Sequence, residues 1–553
     1  MYFYCRLVFA GVFALALNAG IAQNLVGSTK KFTRNDTLRG SITPERAWWD
    51  LEFYELDITV NPQTRSINGS NIIQYKVLNT NNLLQIDLQP PLQIKRVEQD
   101  GKILQTQQIG RNAYHIILQK KQHIGASERL KIWYGGKPKT ATLPPWYGGF
   151  SWEKDETGND FIATSCQRLG ASVWWPCKDH PYDEPDSQRI RITVPEPLIA
   201  VANGRFERVI QNPDSSRTYQ WFVANPINNY GVNLNAAVYT HMEDTLNGEK
   251  GVLSLDFFVL KYNLKKAQQH FQQTKTVLRA FEYWFGPYPF YEDGYKLVEA
   301  PYIGMEHQSS ITYGNGYQNG HSGHDLSGSG WGLKWDYIIV HESAHEWFAN
   351  NLTNRDQADM WIHESFATYS ESLYTEYLFG KDAGAEYVRG QRRIIKNDKP
   401  IIPPYHVNAD GSGDMYFKGA NLLHMIRQII NDDTKWRRIL RGLNQEFYHS
   451  TIGSEAVESY ISRQAGIRFD HVFDQYLRDN RIPALEYRFR DKKLQVRWGN
   501  CIPEFDMPVK VAFPDGTYRF IYPGPEWSDA FTTNRRNLQL LADENFYITV
   551  RKL

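Results

Sequence analysis

The chain has 553 residues, of which 41% are hydrophobic and 22% charged, and its formal net charge is +1. This length allows two to four domains with an ordinary globular balance. No block of like charge argues for nucleic acid or an acidic surface as partner. Aromatic residues, at 14%, suit β-structure and a peptide-lined cleft but prove neither.

In chain order, Arg6 comes first, ahead of the apolar run Leu7 to Leu17 and the short-chain stretch Gly20-Ile21-Ala22. That pattern predicts a signal peptide over 1–22. The run is short for a bilayer span, so an uncleaved anchor is the weaker alternative. The expectation is an exported protein with no stable membrane insertion after signal removal. A periplasm is favoured over the extracellular space because there is no disulfide framework. Of the four cysteines, Cys5 leaves with the signal, and Cys166, Cys177 and Cys501 allow at most one internal bridge. Cys166 and Cys177 are the nearest pair. Either they bond in an oxidising compartment or they are buried small hydrophobes.

Residues 23–48 are polar without a clear period and predict an extended lead-in. From Trp49 to about residue 250, segments such as LEFYELDITV, SNIIQYKVL and RIRITVP alternate or run apolar, with Gly, Pro and Asn between them. They predict a domain of many antiparallel strands. Apolar spacings of three and four then predict helices over Leu264–Phe285, Asp336–Asn350, Met360–Tyr377, Ala420–Asn431, Thr434–Glu446, Ser454–Gln464 and Phe469–Asp479. A Gly-rich stretch carrying His321 and His324 precedes the second of these. It reads as a solvated loop before it reads as a metal site. After Pro483 the strand pattern returns in about seventy residues, enough for one small β-sandwich.

The chemistry concentrates between His341 and Glu364. His341-Glu342-Ser343-Ala344-His345 is followed by eighteen residues and then Glu364. Histidines four apart on a helix share one face and suit two ligands of a tetrahedral zinc. Glu342 can reach a water at the metal. Glu364, on the next helix, supplies a third ligand and leaves a position open, as in a catalytic site. One Zn2+ per chain and a zinc hydrolase follow. Glu371, two turns beyond, either orients a ligand or is a solvated carboxylate.

Three further segments sharpen this. Gly304-Met305-Glu306-His307 lies upstream of the motif. Tyr416-Phe417-Lys418-Gly419 lies downstream. Cys166-Gln167 runs on to Pro176-Cys177 in the β domain. With the zinc motif, these resemble the aminopeptidase N family of zinc peptidases, the gluzincins, from about Trp49 to the end. The resemblance implies an α+β multidomain fold. Its parts are an N-terminal antiparallel, saddle-like β domain (49–250), a thermolysin-like mixed α/β catalytic domain (251–482) and a small C-terminal β-sandwich (483–553). The family's larger members add a C-terminal helical domain that this sequence does not show. The implied activity is aminopeptidase, on peptides with a free N-terminus. Glu342 is then the general base and Tyr416 the oxyanion donor. Glu306 and Gln167, with Gly304 and Met305, bind substrate on the amine side. His307 and His363 depart from the family's asparagines, which puts substrate preference in doubt. A thermolysin-like endopeptidase and a non-catalytic peptide-binding protein are the alternatives. The preferred N-terminal residue and the oligomeric state are not legible.

Overall fold

The structure, a computed structural model, describes residues 31–533 and 539–553. The expected signal peptide, 1–22, lies outside the described residues. The lead-in is not extended where it is described. It forms the helices Arg34–Gly40 and Pro44–Ala47. Thr33 caps the first helix in a reciprocal pair with Asp36, a local hydrogen-bond pattern that outweighs the missing apolar period. Arg46 follows, fully buried and paired with Asp87 at 2.5 Å. At Gly40 an added Cβ would lie 2.1 Å from the backbone of Val407. The lead-in therefore packs directly onto the catalytic domain.

The N-terminal domain is built on an eight-stranded sheet with smaller four- and three-stranded sheets beside it. In its long strand Trp49–Asn61, Tyr54, Leu56, Ile58 and Val60 alternate into the core, as the period of two requires. Among the described residues its strands pair antiparallel with one exception, apart from a single parallel bridge between Thr140 and Phe150. Phe53–Thr59 runs parallel to Ser187–Thr193, a pairing of strands far apart in sequence that alternation alone cannot reveal. Cys166 and Cys177 are free thiols buried in this core.

The hairpin Tyr239–Gly248 and Gly251–Leu260 spans the expected boundary at 250. Both strands join Tyr295–Glu299, Ile311–Tyr313 and Gly304–Met305 in a five-stranded sheet, with Gly304–Met305 at its edge. Against this sheet packs Gln273–Phe285, which buries Val277, Leu278, Phe281 and Trp284. The single helix expected over 264–285 is two, since the chain turns after His270. The later helices Trp361–Phe379, Phe417–Ile430, Asp433–Glu446 and Ser454–Ala465 fall where the apolar periods place them. Lys381–Gly390 is a further helix. The expected helix over 469–479 is a short α-turn, Asp470–Phe473, followed by a wider turn.

The C-terminal β part is a four-stranded sheet and a two-stranded hairpin. Its Leu485, Val496, Trp498 and Phe505 belong to the same hydrophobic core as the catalytic helices. Among the described residues no helix is long and apolar enough to cross a membrane.

Candidate active site

Asp336 starts the motif helix, Tyr337–Ala344, by accepting hydrogen bonds from the amides of Ile338 (2.9 Å) and Ile339 (3.1 Å). Satisfying these otherwise orphaned donors sets the helix register. The helix is shorter than the sequence predicts. After His345 the chain opens into a wide turn, with non-helical backbone at Phe348 and Ala349. The break has a use, because the freed Phe348 carbonyl lies 2.9 Å from His345 Nδ1. The ring N–H donates to it.

His341, His345 and Glu364 converge. The two Nε2 atoms are 3.3 Å apart, and Glu364 Oε2 is 3.5 Å from His345 Nε2 and 3.7 Å from His341 Nε2. Two tetrahedral zinc ligands, each at about 2.0–2.1 Å from the metal, stand about 3.3 Å apart. His341 Nδ1 donates to Glu371 at 2.7 Å. Both rings therefore spend their N–H outward and turn lone pairs inward. Glu364 Oε2 is buried without a hydrogen-bond partner. Three acceptors facing one point require a cation, and the donor set fits zinc. The local field agrees. Burial disfavours a charged His341, yet Glu364 and Glu371 raise its pKa well above the ordinary value.

Glu371 is fully buried rather than solvated. Its other oxygen accepts from Tyr387 and Gln391, each at 2.8 Å. The carboxylate that orients His341 is thus itself fixed on both sides, as an orienting group must be.

Glu342 is buried and lines the cleft near Gly304. A Cβ on Gly304 would come 2.6 Å from Ile338 and 3.3 Å from Glu342 Oε1, so only glycine lets strand and helix approach this closely. Burial raises the Glu342 pKa to about 7, with His341 opposing. Met305 turns its side chain into a small apolar cluster with Ala163, Ala300 and Tyr302. Glu306 is buried, and its backbone carbonyl is held by Asn350 at 3.0 Å. Gln167, from the N-terminal domain, spans the two carboxylates. Its Nε2 donates to Glu306 at 2.6 Å and to Glu364 at 2.9 Å. Tyr416 stands at the start of Phe417–Ile430 with its ring stacked 6.2 Å from that of His341. Burial, followed by the charge of Glu364, holds its hydroxyl pKa well above the usual value. Eight of the nine expected site residues therefore line one cleft of about 240 Å³, while the ninth, Met305, faces the apolar cluster instead.

The two departures differ in placement. His307 turns away from the cleft, bonding Thr312 at 2.6 Å, and burial lowers its pKa to about 3. His363 sits beneath the site between Asn354 and Tyr230. The loop histidine His321 is not simply solvated, since it lies edge-on to Tyr337 and lines the cleft. Neither His321 nor His324 joins a cluster of metal-ligating atoms among the described residues. Sequence reasoning missed Arg168, whose charge burial disfavours but Tyr416, Asp410 and Glu364 favour, so that its pKa is raised. It also missed Trp146, half exposed at the rim. The proximity of Arg168 to Gln167 was the available signal for the first. Nothing local marks the second.

Comparison with known proteins gives a consistent result. Residues 51–230 match the Peptidase M1 N-terminal domain, and residues 269–476 match the Peptidase family M1 domain. Probable aminopeptidase 1 of Saccharolobus solfataricus is 21% identical over 446 residues, covering 77% of this chain and 54% of that protein. Human endoplasmic reticulum aminopeptidase 1 is 22% identical over 312 residues, covering 54% of this chain and 32% of that protein. The chain thus spans about half or less of the length of the curated relatives it matches. An M1 zinc metallopeptidase of Deinococcus radiodurans, solved with a Tyr-Ser-Ala substrate, superposes with a TM-score of 0.65 at 20% identity. The match covers 80% of this chain and 97% of that one, and it carries the fold.

Proposed function

This chain belongs to peptidase family M1, and from that premise we propose that it is a zinc-dependent aminopeptidase that removes N-terminal residues from peptides. The observation that carries the reading is the Gln167 amide. It ties Glu306, a carboxylate free to take an ammonium, to the metal-ligating Glu364.

Zinc held by His341, His345 and Glu364 would supply Lewis acidity toward a carbonyl and acidify a water. Glu342 accepts the proton of that water and passes it to the leaving nitrogen. The Tyr416 hydroxyl donates to the oxygen on which negative charge develops. Glu306 and Gln167 hold the substrate's terminal amine, Glu306 through a charge-assisted hydrogen bond. Because the anchor is fixed relative to the metal ligands, one residue fits between amine and attacked bond. Gly304–Met305 is an edge strand, and its free side can pair with an extended peptide.

Free and N-acetylated forms of the same peptides test this. The free forms should be trimmed from the N-terminus and the acetylated forms left intact. Equal cleavage of both contradicts the amine anchor, and internal cuts in a long blocked peptide point to an endopeptidase. Export, with the periplasm favoured, belongs to the same proposal and rests on Arg6 and the apolar run that follows it. N-terminal sequencing of mature protein from the exported fraction should begin near Gln23.

A further inference from the structure

His363 stands directly before a metal ligand, in a position where an asparagine would be usual, and it is completely buried. Its two ring nitrogens have different partners. The backbone N–H of Asn354 lies 2.8 Å from Nε2, and the Tyr230 hydroxyl lies 3.2 Å from Nδ1. A backbone N–H can only donate, so Nε2 must accept. The neutral ring then carries its proton on Nδ1 and donates it to the Tyr230 oxygen. Tyr230 has one hydrogen of its own, which must point elsewhere. Glu306 directly follows Met305, whose apolar cluster packs against the Tyr230 ring, and after burial the Glu306 charge raises the pKa of this hydroxyl. The bonds from Asn354 through His363 to Tyr230 are thereby set in direction, which leaves the Tyr230 hydrogen free to turn toward Glu306.

The turn carrying Tyr230 is fixed independently. The Asn228 side chain accepts from Gly231 N at 2.6 Å and donates to Ala349 O and Asn350 Oδ1, each at 3.3 Å. Asn350 in turn holds the Glu306 carbonyl. The Tyr230 ring packs against the apolar cluster that contains Met305. The Glu306 backbone and the turn of Tyr230 thus belong to one connected frame, and Gln167 donates to the Glu306 carboxylate at 2.6 Å.

We propose that Tyr230, set by His363, is a positioning residue that aims the Glu306 carboxylate at the substrate's terminal ammonium. This inference rests on the aminopeptidase reading. It also accounts for the departure at 363, because a side-chain amide there would accept from Asn354 and donate to Tyr230 in the same order as the imidazole.

The test separates amine recognition from metal binding. Leucine hydroxamate carries both an amine and a metal-binding group, whereas acetohydroxamate carries only the latter. Their affinities for the zinc-loaded protein are measured by calorimetry. Tyr230→Phe keeps the ring and removes only the hydroxyl. It should weaken leucine hydroxamate about tenfold, the scale of one hydrogen bond to a charged group, and leave acetohydroxamate within about twofold. With leucine amide as substrate, KM should rise by a similar factor while kcat stays within about threefold. His363→Phe should repeat the binding loss, and His363→Asn should restore most of it. An unchanged ratio of the two hydroxamate affinities in Tyr230→Phe overturns the relay, as does an equal loss for both ligands. If the wild-type protein itself does not favour leucine hydroxamate, the aminopeptidase reading fails and the relay falls with it. Wild-type preference with an unaffected variant removes the relay alone.

Discussion

The two halves of the cleft are built differently. The metal half comes from two consecutive helices, with His341, His345, Glu364 and Glu371 all within a short stretch of chain. The amine half is assembled from distant segments of two domains. Gln167 is 139 residues from Glu306 and 197 from Glu364, and Tyr230 is 133 from His363. Helix geometry alone brings the first set together. Only the docking of the domains creates the second. Damage to the metal half should therefore act on chemistry and metal retention, whereas damage to the amine half should act on which molecules are accepted.

The largest expected effect tests the first part of that statement. Glu342→Gln should lower turnover of an amino-acid amide by about a thousandfold, within the range for a general base, while elemental analysis still finds one zinc per chain. Near-normal turnover would remove Glu342 from the mechanism. Glu371→Gln should act on retention. It weakens the acceptor of the His341 N–H, so zinc affinity in a chelator competition should fall about 10- to 100-fold. An unchanged affinity would reduce Glu371 to a core carboxylate. On the other half, Glu306→Gln keeps the shape and removes the charge. It should cut kcat/KM for free-amine substrates about tenfold or more and leave zinc content alone. A drop in zinc content instead would merge the two halves.

The smallest effect concerns acid stability. Burial lowers the pKa of both His307 and His363 to about 3, below the unfolded value of about 6.5. Between these values the unfolded chain binds protons that the folded chain refuses, so stability falls as pH falls through that window. Each residue contributes up to about 1.4 kcal/mol per pH unit. His307→Asn should flatten the decline of the urea midpoint between pH 6.5 and 5 by one such increment. An unaltered slope would show that His307 is protonated in the fold.

What the sequence made legible follows the same division. The zinc ligands, Glu342 and the strand pattern of the β domain depend on spacing, and spacing is written locally. Tyr416, Glu306 and Gln167 were visible only through family resemblance, because no local period marks a residue that works across a domain interface. Where the helix expectations missed, a side chain had claimed the backbone. The motif helix opens so that the Phe348 carbonyl can meet His345, and the lead-in coils because Thr33 and Asp36 close a cap. The helix Lys381–Gly390 was overlooked because two glycines dilute its stripe of Ala383, Tyr387 and Val388. Trp146 reaches the rim through tertiary placement alone.

The core that runs unbroken from the catalytic helices into the last strands limits where the chain can be divided. Phe546 and Leu540 pack in it, and Arg392, just beyond the helix Lys381–Gly390, holds the carbonyls of Glu544 and Asn545 at 2.6 and 3.0 Å. A recombination event that cut near residue 483 would strip greasy surface from both products. The chain's final segment and its catalytic domain are thus bound by one core, and a cut there would cost both their packing.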